Sequence, residues 1–368
     1  MKSIGIGTCV ALVIVSALWA QNIGKPEKPT TGNGAIASAI DRGAKWLASV
    51  QGADGGWGQD GGETSYVRTG ERLESNGNDV ANTAVAALAL LEAGKQYQPN
   101  VDRALDFILK RVEASASDGL AITDAMGTQI QRKLGPYIDT FMTSMLLAKV
   151  DGTLKSAQNA RVRAGLEKCV AKIERNQKAD GSWNIAGGWA PVLGTSMASR
   201  SLFEAQQKGV KVERRVMESA ERYTVDAISQ PSAGAGVGAG GAVGRASADA
   251  AGVPLYQSAQ ALEQLSRTES DRVKNAKQIA SLNAQLSDTR FLNGFGSIGG
   301  EEFFSYLNIG DSLKRTGGEA WTKWHSQTTQ KILNLQNSDG TWAGHHCITG
   351  RVAVTSAAIL NLSAGHAN

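Results

Sequence analysis

Three times along this chain an amphipathic helical stretch ends in the same seven-residue device: Gln51-Gly-Ala-Asp54-Gly55-Gly-Trp57, Gln177-Lys-Ala-Asp180-Gly181-Ser-Trp183 and Gln336-Asn-Ser-Asp339-Gly340-Thr-Trp342. Asp-Gly supplies a tight turn in which the glycine takes φ > 0. The glutamine is placed to bond backbone groups freed at the helix end, and the tryptophan to pack over the helix that follows. Each copy follows an amphipathic helix and precedes a more apolar one, so the device marks a degenerate repeat of helix pairs. Strand alternation is almost absent. Helical periodicity predicts twelve helices, at about 35–51, 79–94, 100–115, 137–150, 157–177, 194–208, 212–228, 255–267, 269–286, 300–314, 318–336 and 349–363. Gly94, Pro99, Pro136, Gly209 and Gly317-Gly318 punctuate them where stops are needed. The chain is therefore all-α.

With 368 residues, 42% of them hydrophobic and 20% charged, a large single core is within reach. A formal net charge of +4 and the absence of a basic run argue against nucleic acid as a partner. Residues 1–20 have the form of a secretory signal peptide, with Lys2 ahead of an apolar core from Ile4 to Leu18 and a small Ala20. Residues 21–34 are polar and rich in Pro, Gly and Thr, as in a linker. The expectation is a secreted or periplasmic protein whose helical domain covers residues 35–368, with membrane contact limited to the signal peptide or, as an alternative, an uncleaved anchor.

Arg42-Gly43-x-x-Trp46-Leu47-x-x-x-Gln51-x-x-x-Gly55-x-Trp57 matches the QW motif of the squalene and oxidosqualene cyclases, and the two later copies keep its Gln-x-x-x-Gly-x-Trp end. From residue 39 to 363 the chain thus resembles the prenyltransferase and squalene-oxidase repeat group. The resemblance implies an (α/α)6 toroid, six inner and six outer helices around a central cavity. Helices that carry the motif fall in the outer ring, so 79–94, 137–150, 194–208, 255–267, 300–314 and 349–363 are expected inside.

The N-termini of those six inner helices then gather at one mouth, bringing together Asp79, Tyr137, Asp139, Tyr256, Glu301, Glu302, His345, His346 and Cys347. Six positive dipole ends there favour an anion or a thiolate. Three readings are open. Zinc is the one cofactor the residue types suggest, held by Cys347, His346 and a carboxylate such as Asp139. Alternatively Cys347 is a nucleophile assisted by His346 and Glu301. In the third, the mouth is a recognition site, with His345, Tyr137, Glu302, Asp79 and Tyr256 meeting a small apolar molecule or a peptide.

Similar toroids, the protein prenyltransferases, hold zinc with an Asp-x-Cys pair, but two positions before Cys347 this chain has His345. The Asp-x-Asp-Asp acid motif of squalene cyclases occurs nowhere, so terpene cyclisation is not expected. The Gly-rich loop 231–252 contains a formal Gly-x-Gly-x-x-Gly at 236–241, but no strand precedes it and it reads as a surface loop. Enzyme, binding protein and structural interaction scaffold all remain open at this level.

Overall fold

A computed structural model of the chain describes residues 32–60, 77–183, 191–229, 246–286, 300–345 and 348–365. Two kinds of helix alternate in it. In α1 (Asn33–Ser49), α3 (Gln98–Ala114), α6 (Ser156–Arg175), α8 (Arg214–Ser229), α11 (Ala276–Leu286) and α13 (Gly318–Asn334) one face is apolar and the other charged. On α1, for example, Ile36, Ala39, Gly43, Ala44 and Leu47 are buried, the spacing of a single helical stripe. By contrast α2 (Val80–Ala93), α5 (Ile138–Val150) and α14 (Arg351–Ser363) are buried nearly all round. A helix that is apolar on every side has to sit inside other helices. With α7 (Pro191–Gln207), α9 (Ala246–Leu265) and α12 (Gly300–Thr316) they form the inner set.

Packing follows from that division. Each inner helix touches the next in the order α2, α5, α7, α9, α12, α14, and α14 returns to α2. The six outer helices lie against this closed ring. The chain is an (α/α)6 toroid, with the rings assigned as the sequence pattern expected. Three short pieces complete the described residues: a 3-10 turn at Lys95–Tyr97, α4 (Gln129–Leu134) and α10 (Glu269–Lys274).

The repeated turns have one geometry. Gly55, Gly181 and Gly340 have φ of 90°, 90° and 87°. Each tryptophan donates its indole N–H to a carbonyl ten residues back, Leu47, Ile173 or Ile332, at 2.6–2.8 Å. Its backbone N–H goes to a threonine hydroxyl on the first turns of the next inner helix, Thr83, Thr195 or Thr355, at 2.9–3.1 Å. The glutamine acts differently from expectation. Its side-chain amide donates to the turn's own glycine carbonyl and, at 2.8–2.9 Å, to a carbonyl of the neighbouring outer helix, Asn100, Val216 or Ala39. The device therefore ties each outer helix sideways as well as inward. The Gln336 bond to Ala39 joins the last outer helix to the first and closes the outer ring.

Three local readings change. The helix expected at 255 begins at Ala246, because the alanine-rich end of the Gly-rich stretch favours helix. The helix expected over 269–286 breaks at Asn275, whose side chain turns to Glu221 on α8 at 2.9 Å. The unexpected α4 starts from a Thr128/Gln131 capping box. Residues 1–31, and with them the signal-peptide reading, lie outside the described residues.

A Cβ on Gly340 would lie 2.9–3.1 Å from Arg42 backbone and side-chain atoms, at a φ other residues avoid. Gly340→Ala is expected to lower stability by about 2 kcal/mol or more, read as a lower urea midpoint. An unchanged midpoint would show that ring closure does not depend on this turn.

Candidate functional site

At the N-terminal end of the inner ring two carboxyls converge on the first turn of α2. Asp79 is the N-cap of α2, accepting from the backbone N–H and the side-chain amide of Asn82, both at 2.8 Å. Asp139, on α5, accepts from Ala81 N at 3.1 Å and from Gln131 Nε2 at 2.6 Å. Both are buried. Burial pushes the Asp79 carboxyl up to about 6, against the pull of its bonds to Asn82. Burial, together with the nearby charge of Asp79, pushes Asp139 up to about 7. The helix dipole favours the ionised forms by only ~1 kcal/mol, and desolvation outweighs it.

The other expected site residues are only partly described. Tyr137 is half-buried just before α5 and lines a separate cavity beneath residues 115–125. Glu302 is buried; burial pushes the Tyr306 pKa up and that of Lys331 on α13 down, and the charge of Glu302 acts upward on both, so it lies where α12 meets the outer ring. His345 is exposed. His346 and Cys347 lie outside the described residues, as do the side chains of Glu301 and Tyr256. The flanking backbone does bring the start of α12 to the residue after Cys347, with Gly300 N donating to Ile348 O at 2.8 Å. Among the described residues no three His, Cys, Asp or Glu side chains gather as a metal site would need. Cys169 is a buried free thiol pushed up to about 12 by burial, which leaves it unreactive.

A cavity of about 440 Å³ opens at the opposite end, where the inner helices finish. Leu88, Met145, Leu307 and Leu360 supply its apolar wall, one each from α2, α5, α12 and α14. Its rim is charged: Glu92, Lys149, Arg200, Glu204, Asp311 and Lys314. Arg200 is held by Glu204 at 2.8 Å, Asp311 at 2.6 Å and Asn308 at 2.7 Å. Behind it Glu263, fully buried, pairs with Arg267 at 2.7 Å and Arg315 at 3.1 Å. Burial alone would raise the Glu263 pKa, but Arg267, Arg200 and Arg315 together hold it down at about 2. Sequence reading missed this network. Its signal was an ion pair at i,i+4 on helices that are otherwise apolar, Arg200 with Glu204 and Glu263 with Arg267.

The packing defines an α/α toroid. Residues 29–125 match the family model of the squalene-hopene cyclase C-terminal domain. The squalene–hopene cyclase of Bradyrhizobium diazoefficiens is 39% identical over 70 residues, 19% of this chain and 10% of that enzyme. The match thus spans about a tenth of that relative's length. Among solved structures, the type II terpene cyclase MstE from Scytonema is similar both in its apo form and in complex with geranylgeranyl dihydroxybenzoate. Each is 11% identical, with 90% of this chain and 97% of that chain covered, at a TM-score of 0.36. At that score the likeness bears on neither substrate nor mechanism.

The raised aspartates set a pH dependence. A carboxyl with a higher pKa folded than unfolded binds its proton more tightly in the folded state, so stability falls as pH rises from about 4, the unfolded value, to the folded values. Unfolding free energy should decline on the order of 1 kcal/mol per pH unit between about pH 4 and 7 at the steepest. In Asp139→Asn the decline should flatten, and urea titrations across this range check it.

Proposed function

We propose that the toroid is an exported binding protein that takes an extended, largely apolar ligand, a small molecule or a short peptide, into the ring from the end where the inner helices finish. The carrying observation is the cavity there, with an apolar wall and a charged rim. Its volume lies within the ~300–1,000 Å³ usual for small-molecule sites. Apolar area inside gives affinity, and the charged rim orients a polar end. Export rests on the signal-peptide form of residues 1–20. The likeness to squalene–hopene cyclase covers α1 to α3 and does not extend the reading to cyclisation, since the chain has no Asp-x-Asp-Asp. The scaffold reading has little support among the described residues, where Met126 and Val273 are the exposed large apolar side chains.

Displacement of the neutral fluorescent probe N-phenyl-1-naphthylamine by long-chain alcohols and by short apolar peptides tests the reading. Met145→Trp, which fills the cavity, should weaken probe binding by about tenfold, the effect of losing ~1.4 kcal/mol. Probe affinity equal in the two proteins would place any binding elsewhere.

A second reading, a zinc- or cysteine-dependent transferase or hydrolase using Cys347 and His346, is favoured by the contact of Gly300 with Ile348, which joins the start of α12 to the residue that follows Cys347 in sequence. Asp139 suits it poorly as a metal ligand, because both of its oxygens already accept internal hydrogen bonds. On this reading, protein purified without an affinity metal contains zinc near one per chain and Cys347→Ser loses it. Equal metal content in the two removes it.

A further inference from the structure

Arg111, in the last turn of α3, stands apart from several other buried or half-buried arginines. Its guanidinium stacks on the Phe107 ring with Cζ 3.3 Å from the centroid, and one N–H donates to Phe107 O at 2.8 Å. Arg161, Arg163, Arg200, Arg267 and Arg315 each pair with a carboxylate. Among the described residues Arg111 pairs with none. Burial lowers its pKa, and the acid acting against that, Asp54, does so only through its charge. A stacked guanidinium keeps its fork rigid and its remaining N–H edge available for a planar oxyanion.

That side chain lines a cavity of about 560 Å³ between residues 114–125 and Tyr137. The loop that follows α3 has its peptide groups oriented by three cations of α6. Lys168 donates to Ser115 O at 2.6 Å, Lys172 to Ala116 O at 2.5 Å, and Arg175 to Ser117 O. Lys172 is itself buried. Because the peptide unit is planar and trans, a carbonyl held toward α6 turns the following N–H away from it. The N–H groups of Ala116, Ser117 and Asp118 therefore point away from α6, and Ala116 and Asp118 line the cavity. None of these three N–H groups donates to a backbone carbonyl of the described residues. Successive amides with a common direction make an anion-binding concavity. Two acids line the cavity as well, Asp118 and Asp124, both exposed to solvent. Against them stand Arg111 and the three cations behind the loop.

We propose that this cavity binds a small oxyanion, a carboxylate or phosphate group of a low-molecular-weight ligand, through the free edge of Arg111 and the amides of Ala116 and Asp118. The site is separate from the apolar cavity at the far end of the ring, and neither reading depends on the other.

Calorimetric titration of the full chain with succinate and, separately, with inorganic phosphate tests it, against sodium chloride at matched ionic strength. One of the two anions should bind saturably, which also tells the carboxylate source from the phosphate source. Arg111→Gln should weaken that binding by at least tenfold, and Arg111→Lys by less. Because Arg111→Gln also loses the Phe107 stack, a second measurement uses wild type alone. The bound anion should slow phenylglyoxal modification of Arg111, followed by peptide mass spectrometry, while leaving Arg214 unprotected. Saturable binding of neither anion, equal binding in Arg111→Gln, or Arg111 modified at the same rate with and without anion would overturn the proposal.

Discussion

The indole N–H of each repeat tryptophan bonds the carbonyl ten residues earlier, and most of the architecture hangs on this bond. Trp57 and Trp342 are fully buried and Trp183 nearly so. A buried indole N–H without an acceptor costs ~1–3 kcal/mol, so the ring can occupy the core only where the preceding outer helix presents that carbonyl. The same residue's backbone N–H takes the threonine of the next inner helix. One side chain and its own peptide thus fix the angle between an outer helix and its inner partner. The glutamine then fixes the distance to the next pair.

With all six inner helices parallel, the two ends of the ring are electrostatically unlike. Amides face one end and carbonyls the other. Acids are found at the first: Asp79 and Asp139 answer the amides of α2. Cations collect at the second, where Lys149 and Arg315 lie in the last turns of α5 and α12 and Arg267 just beyond α9. Burial decides how each end behaves. Around Glu263 several arginines more than offset its desolvation, and the carboxylate stays charged. Asp79 and Asp139 have only neutral donors and each other, so their protons are held at higher pH.

The fold was legible in the chain because two signals agree. The Gln-x-x-x-Gly-x-Trp device marks where an outer helix hands over to an inner one, and runs such as Ala81 to Leu91 are too apolar on every side to lie at a surface. The site was less legible. Listing polar residues at inner-helix starts found Asp79 and Asp139, but a helix start says nothing of its side chain's direction, and the charge of Glu302 is felt by Lys331 on α13. Lys168, Lys172 and Arg175 read in sequence as an ordinary charged helix face. Only the folded chain shows that they hold three consecutive carbonyls of a distant loop.

The bond from Gln336 to Ala39 spans nearly the whole described chain. A solenoid could acquire stability one repeat at a time as its chain emerges, but a ring cannot. Until α13 and α14 are available, the inward face of α1 is covered only in part, by α2, and one side of α2 is left open, since both pack on α14. Closure is thus a late, long-range event with a large loop-closure entropy. The chain's two ends are where an unfinished ring would expose apolar helix surface to chaperones or to a second copy of itself.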